Sequence, residues 1–266
     1  MSAPDLVAVA VYERTIRASL ERIWENVLDW EHLPGLHRAS FGAIRCLESD
    51  DSGWRARLLG RDADPSKEIE VQVRLERPAL RYVSETTAGA GKGAQIWTRL
   101  SPRAPHETDI RVEFLLPGVL PAQIDGLGRG YTALYTRLWD EDEEMMVRRE
   151  RMLARVAAFP ERGRAGLDLG RLEYLRAKLP LVVELDGRPF RVLELGGDLV
   201  AHSTICPHLL GPLEDAELDG DTVECPWHRR RFDLRTGRSC DGHAHRLMPA
   251  PRIAIGPDER VRLSWG

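Results

Sequence analysis

Two Cys-His pairs, Cys206-Pro-His208 and Cys225-Pro-Trp-His228, stand sixteen residues apart toward the C-terminal end of a 266-residue chain. Each loop brings one thiol and one imidazole. Two thiolates can hold one iron of a [2Fe–2S] cluster while two imidazoles hold the other. Neutral imidazoles reduce the negative charge on such a cluster and raise its potential above that of an all-cysteine one. Two Cys and two His also satisfy tetrahedral zinc. Zinc knuckles usually pair Cys with Cys and His with His, whereas here each loop supplies one of each. The spacing therefore favours iron and the transfer of single electrons.

The residues around the pairs carry a family likeness. The stretch CPHLLGPLEDAELDGDTVECPWHRRRFDLRTGR resembles the Rieske family throughout, from the Cys-Pro-His loop through a Gly-Asp hairpin and the Cys-Pro-Trp-His loop to Phe232-Asp233 and Thr236-Gly237. Leu209, Leu210 and Trp227 stand where some members carry an extra disulfide between the loops. The resemblance is therefore to the ferredoxin and oxygenase branch, with Cys206, His208, Cys225 and His228 as cluster ligands and the two histidines presenting its exposed edge. The other two cysteines, Cys46 and Cys240, are expected as free thiols in a reducing compartment. The residue after the second histidine is often glycine in the family, and here it is Arg229. Arg229-Arg230-Arg231 reads either as a solvated basic turn or as a docking patch for an acidic electron donor.

From residue 178 the chain reads as a small all-β domain. Leu181–Leu185 stops at Asp186-Gly187, Phe190–Leu195 stops at Gly196-Gly197-Asp198, and Leu199–Ala201 leads into the first cysteine loop. Asp219-Gly220 turns the chain toward the second loop, and Arg252–Ile255 and Arg260–Trp265 form a last pair. Short strands bounded by Asp-Gly and Gly-Gly signal hairpins.

The first 160 residues have another rhythm. Val7–Ile16 reads as a strand. Ser19 caps an amphipathic helix with Leu20, Ile23, Trp24, Val27 and Leu28 at helical spacing, and Pro34-Gly35 breaks it. A meander follows, clearest where Ile69, Val71, Val73 and Leu75 alternate with charged and polar residues. A long helix is expected from Pro121 to Ala158. Together with the opening VYERTIRASLERIWENVLDWEHLP, this order resembles the START/Bet v1-like helix-grip fold, whose sheet wraps a long helix around a ligand cavity. The expected architecture is α+β, with a helix-grip domain at 1–160, an Arg- and Gly-rich connection at 161–177 and a Rieske domain at 178–266.

Within that first domain, Asp29-x2-His32-x4-His37, preceded by Asn26 and followed by Ala39-Ser40, resembles the mononuclear-iron motif of Rieske non-heme iron oxygenases. The resemblance implies His32 and His37 as Fe(II) ligands and Asp29 as the catalytic carboxylate coupling this iron to a neighbouring subunit's cluster. Asp29 and His32 are three apart on a helix, so the carboxylate can hold the imidazole's second nitrogen. Metal-free helix-grip proteins often carry an Asp, an aromatic and a Leu-Pro at this place, so the two histidines together discriminate.

The family takes its third ligand from the long helix. Of Asp140, Glu141, Asp142, Glu143 and Glu144, the helical period puts Asp142 on the stripe of Leu127, Tyr131, Leu134, Leu138, Met145, Met152, Leu153 and Val156. Glu141 falls on its edge, and the other acids fall on a solvated face. A carboxylate turned to the core needs a partner. Fe(II) would be one, and Arg149 is the structural alternative.

The leading expectation is an oxygenase containing a Rieske [2Fe–2S] cluster and a mononuclear Fe(II). It would use O2 and electrons from a reductase or ferredoxin to hydroxylate, dihydroxylate or demethylate a small organic substrate. The alternative is an electron-transfer protein fused to a non-catalytic domain for hydrophobic ligands. The domain order is the reverse of that in most of the family, whose head-to-tail homotrimers pass electrons between subunits. A formal net charge of −4 with 42% hydrophobic and 30% charged residues gives no reason to invoke nucleic acid or a membrane surface. With no apolar run of membrane-spanning length, a cytoplasmic location is expected. His106, His202, His243 and His245 are expected at surface or packing positions.

Overall fold

A computed structural model describes residues 5–163 and 166–265. Residues 1–4 and Gly266, at the ends of the two expected domains, and Arg164 and Ala165 of the expected connection lie outside the described residues. The chain forms two compact units, Met1–Val147 and Arg148–Gly266.

The first unit opens with β1 (Leu6–Ile16), α1 (Leu20–Leu28), a single 3-10 turn at Trp30–His32 and α2 (Leu33–Leu36). The Ser19 hydroxyl accepts the Arg22 amide at 3.2 Å and starts α1 where the sequence places it. A meander of β2 (Phe41–Asp50), β3 (Gly53–Gly60), β4 (Ile69–Glu76), β5 (Arg81–Ala88), β6 (Gln95–Ala104) and β7 (Glu107–Pro117) follows, then α3 (Ile124–Ala157). The strands form one seven-stranded antiparallel sheet in the order β1-β7-β6-β5-β4-β3-β2. Alternation along β4 buries Val71 and Val73, as the period of two requires.

The long helix packs on this sheet through Tyr131, Tyr135, Trp139 and Met146, which join Phe114, Val112 and Ile110 in one core cluster. Its N-terminal part comes so close to β1 that a side chain at Gly128 would meet the Val9 carbonyl at 2.5 Å. Val9 lies in the bulge of β1, between Ala8 and Ala10. The expected apolar stripe is partly corrected. Leu127, Leu153 and Val156 are exposed, and the buried row runs instead through Trp139, Glu143 and Met146.

The second unit holds β8 (Leu167–Arg171), α4 (Leu172–Arg176), β9 (Leu181–Leu185), β10 (Arg188–Leu195), β11 (Asp198–Ser203), β12 (Leu218–Asp219), β13 (Thr222–Glu224), β14 (Arg231–Asp233), β15 (Arg252–Ile255) and β16 (Arg260–Ser264). These form three three-stranded sheets, β11-β10-β9, β12-β13-β14 and β15-β16-β8. Asp186 and Gly187 both take positive φ in the β9–β10 turn, as a tight Asp-Gly hairpin demands. Phe190, Val192, Ala201, Leu185 and Leu263 make the core.

Part of the stretch expected as a connection is built into this unit. β8 pairs antiparallel with β16, from Leu167↔Leu263 to Arg171↔Arg260. The sequence hid this strand because its partner lies some ninety residues later and its own residues, LDLGR, include a glycine and two charges.

Candidate functional site

The two cysteine loops have the same backbone. In the first, the Cys206 carbonyl accepts from the Leu210 amide at 3.0 Å, and the Cys206 amide donates to the Gly211 carbonyl at 3.0 Å. In the second, the Cys225 carbonyl accepts from Arg229 at 2.9 Å, and its amide donates to Arg230 at 2.9 Å. The residue four places after each cysteine, Leu210 or Arg229, takes positive φ. The amides two and three places on point at each sulfur: His208 and Leu209 at Cys206, Trp227 and His228 at Cys225. Each loop is thus a small nest of N–H groups suited to a thiolate.

Both cysteines are buried, at 1% and 0% exposure, and their sulfurs touch. A hydrogen bond from Cys206 lowers the Cys225 pKa, and the same contact together with burial raises that of Cys206. The His208 and His228 rings lie 4.5 Å apart between centroids and nearly perpendicular, at 89°. His208 is half-buried and His228 only 9% exposed, so the accessible imidazole edge belongs mainly to His208. Gly211 closes the site, because a Cβ there would stand 2.8 Å from the Cys225 sulfur and 3.1 Å from the Trp227 ring. Two sealed sulfurs beside two imidazoles fit a cluster held by two thiolates on one iron and two imidazoles on the other.

In the first unit, His32 ends the 3-10 turn, His37 follows α2 and Asp142 lies on α3. The structure brings them together, with ligand atoms all within 4.8 Å of one another. The Nε2 atoms of His32 and His37 approach the same oxygen, Asp142 Oδ1, at 3.4 and 3.1 Å. Such separations match the edges of a coordination site whose metal–ligand bonds are about 2.1 Å. Asn26 donates to that oxygen at 3.0 Å and fixes the carboxylate. The other ring nitrogens face acids: His37 Nδ1 lies 2.6 Å from Glu141, and His32 Nδ1 lies 3.7 Å from Asp29. Each imidazole therefore sits between a carboxylate and the common centre, an arrangement that orients metal-binding histidines.

Burial disfavours a charged His32, but Asp142 and Asp29 outweigh it and lift its pKa to about 10. Burial likewise favours a neutral Asp142, yet His32 and His37 hold its carboxyl well below the usual carboxylate range. In the metal-free chain a proton thus occupies the place of a cation, and a metal binding here would displace it. Burial and the Asp142 charge keep Tyr82 and Tyr135 protonated. The Phe41 ring lies 6.2 Å from His37. Two imidazoles and one carboxylate in largely aromatic surroundings suit a ferrous ion with positions left open.

Comparison with known proteins separates the two units. Residues 167–251 match the Rieske [2Fe-2S] domain family. The chain carries a Rieske domain. Over 74 residues it is 42% identical to the ferredoxin component of the p-cumate 2,3-dioxygenase system of Pseudomonas putida, covering 27% of this chain and 58% of that one. Over 59 residues it is 36% identical to the ferredoxin component of the naphthalene 1,2-dioxygenase system of Pseudomonas aeruginosa, covering 22% and 57%. The chain spans little more than half the length of these relatives. Among solved structures, norcoclaurine synthase from Thalictrum flavum overlaps 54% of this chain and 88% of its own, at 14% identity and a TM-score of 0.41. That overlap is weak. The α+β character of the first unit rests on its own strand order and long helix.

The Rieske domain gathers residues that the sequence left unassigned. The His245 ring packs 5.1 Å from that of His208, and the His243 ring lies 6.1 Å from His245. His202 is buried, and burial lowers its pKa to about 4. The basic run is largely engaged locally: Arg229 with Glu224, Arg231 with Asp241 and Arg230 with His243. This agrees with a basic turn more than with a bare cationic patch. In the first unit, Glu141 lies part-buried as its place on the edge of the stripe suggests, and Glu143 leaves the solvated face expected for it. Glu143 is 5% exposed and accepts from Arg17 at 2.7 Å and from Arg14. Cys46 and Cys240 are free. Among the described residues no helix is long and apolar enough to cross a membrane.

Proposed function

We propose that this chain is a Rieske-type non-heme iron oxygenase. Cys206, His208, Cys225 and His228 would hold the [2Fe–2S] cluster, and His32, His37 and Asp142 an Fe(II). Electrons from a reductase or ferredoxin, together with O2, would serve to hydroxylate, dihydroxylate or demethylate a small organic substrate. The meeting of His32, His37 and Asp142 around one point carries the reading. Two neighbouring histidines and a carboxylate from the distant α3 converge there with second nitrogens facing acids, which a packing role for two histidines does not require.

When bound, the ferrous ion would supply the activation of O2, with positions left open by a two-histidine, one-carboxylate set. The chain's own residues prepare that set. Asn26 orients Asp142, Glu141 holds the Nδ1 proton of His37, and Asp29 faces His32 Nδ1 at 3.7 Å, an ion-pair separation and not a hydrogen bond. Phe41, Tyr82 and Tyr135 limit water around the centre and keep its charges strong. Asp29, beside His32 and near the surface of that cluster, is the residue through which an electron would reach the site. The expected assembly is a homotrimer in the cytoplasm.

A second reading is favoured by a specific observation: both relatives above are ferredoxin components, and their likeness covers only 27% and 22% of this chain. Under it the chain transfers electrons, and its first unit binds a hydrophobic ligand without chemistry. Iron analysis separates the two. The oxygenase requires about three irons per chain, falling to about two in His32→Ala, His37→Ala or Asp142→Ala with the Rieske spectrum unchanged. Two irons in the wild type, unaltered by these substitutions, would leave the electron-transfer reading.

A further inference from the structure

We propose that Arg14 and Arg17 are positioning residues of the metal centre: they hold one side of a turn of α3 so that its other side presents Glu141 and Asp142 to the histidines. The proposal rests on the reading that His32, His37 and Asp142 bind a metal ion.

Asp140, Glu141, Asp142 and Glu143 are successive carboxylates in one turn of α3. At about 100° per residue, Asp140 and Glu143 point to one side of the helix and Glu141 and Asp142 to the opposite side. Each side has its own partners. Arg14, on β1, donates through Nη1 to Asp140 at 2.6 Å and through Nη2 to Glu143. Arg17, just past the end of β1, donates to Glu143 Oε1 through its backbone amide at 3.1 Å and through Nε at 2.7 Å. On the other side Glu141 meets His37 Nδ1, and Asp142 Oδ1 meets the Nε2 atoms of both histidines.

Both sides of the turn are tied to the same stretch of chain. Arg17 stands two residues before Ser19, the N-cap of α1, and Asn26 in the last turn of α1 donates to Asp142 Oδ1. The approach to α1 is thus fixed to Glu143 and its end to Asp142, with His32 and His37 following directly. A planar guanidinium forked across two carboxylates of one helix fixes the helix's rotation, which a point charge would not. Carboxylates three apart on a helix also repel one another. The arginines offset the outer pair and leave the inner pair to the histidines and the metal.

Charge and position have opposite consequences here. Removing a cation near the site leaves it more negative, which by itself tightens the binding of a divalent ion. Freeing the turn to rotate moves Asp142 off the histidines, which weakens it.

The test is equilibrium dialysis of the cluster-loaded full-length protein against Co(II), with cobalt counted by metal analysis and folding checked by far-ultraviolet circular dichroism. Arg14→Met and Arg17→Met each weaken Co(II) binding several-fold. Arg14→Lys, which keeps the charge but not the fork, recovers only part of the loss. Leu116→Ala, in the core beside Val7 at the far end of β1, destabilises the fold and leaves the Co(II) affinity unchanged. The Arg17 side chain is 74% exposed, so its variant folds and decides the question even where Arg14→Met does not. Unchanged or tighter Co(II) binding in the folded arginine variants, or an equal loss in Leu116→Ala, overturns the proposal and leaves the ligand assignment standing. A wild type that binds no more Co(II) than His32→Ala or Asp142→Ala overturns the metal reading, and the proposal with it.

Discussion

At Gly211 the missing side chain leaves the space that the Cys225 sulfur and the Trp227 ring occupy. Backbone conformation does not demand the glycine; close approach does. Gly211→Ala must push either the sulfur or the buried indole, at an overpacking cost of about 1–3 kcal/mol. Its expected effect is a several-fold loss of cluster content per chain with far-ultraviolet circular dichroism retained, read by iron analysis and visible absorption. Arg229 shows the opposite case, a non-glycine residue at φ 55 where only the backbone, not space, is unusual. At this scale the sequence was most legible where chemistry is local. The four Cys and His of the loops stand out by their spacing and family likeness, whereas His32 and His37 come from a resemblance and Asp142 from that resemblance together with the helical period; the structure brings these last three together. Glu141, Gly211 and Arg14 do not stand out, because each matters only through a residue brought to it from another element.

The long helix α3 shows how a period fixes a face without fixing its centre. Placing the stripe on Leu127, Leu138 and Met145 correctly turned Asp142 inward, but it left Glu143 outside. The real row through Tyr135, Trp139 and Met146 takes in both acids. Glu143 is tolerated there because Arg14 and Arg17 reach it from β1 and the turn before α1. Glu143→Ala should destabilise the first unit by about 1–2 kcal/mol, less than a fully buried pair would, since Arg17 is largely exposed. Chemical denaturation monitored by tryptophan fluorescence measures it, and a change under about 0.3 kcal/mol would show that the network adds nothing beyond helix packing. The paired loops illustrate the same limit. Their matching bonds are invisible in the sequence because the histidine stands second after Cys206 but third after Cys225. Similar backbones therefore project their imidazoles differently, in keeping with the near-perpendicular rings.

Across the whole molecule, acid should act on the second unit through carboxylates that hold loops. Asp186 accepts from the Trp265 indole at 2.6 Å and from the Gly163 amide at 2.7 Å, and Asp233 accepts from the Thr236 amide at 2.7 Å. The Trp265 bond lowers the pKa of Asp186, and the Thr236 amide lowers that of Asp233, both from an ordinary 3.8. Groups with a depressed folded pKa contribute stability above the unfolded value, and this is lost as pH falls through the folded one. Thermal midpoints should therefore fall as pH drops below about 3.8. Asp186→Asn should flatten that dependence, and an unchanged slope would remove Asp186 from the account. The division into two units was legible from composition and rhythm, but its position was not. Compactness divides the chain at Val147 and Arg148, inside α3, whereas the family match begins only at residue 167. Anyone excising the iron–sulfur half by homology would discard the last ten residues of that helix. The fragment would then lack the guanidinium that Glu214 holds in a forked ion pair, and would leave that part-buried carboxylate without its cation.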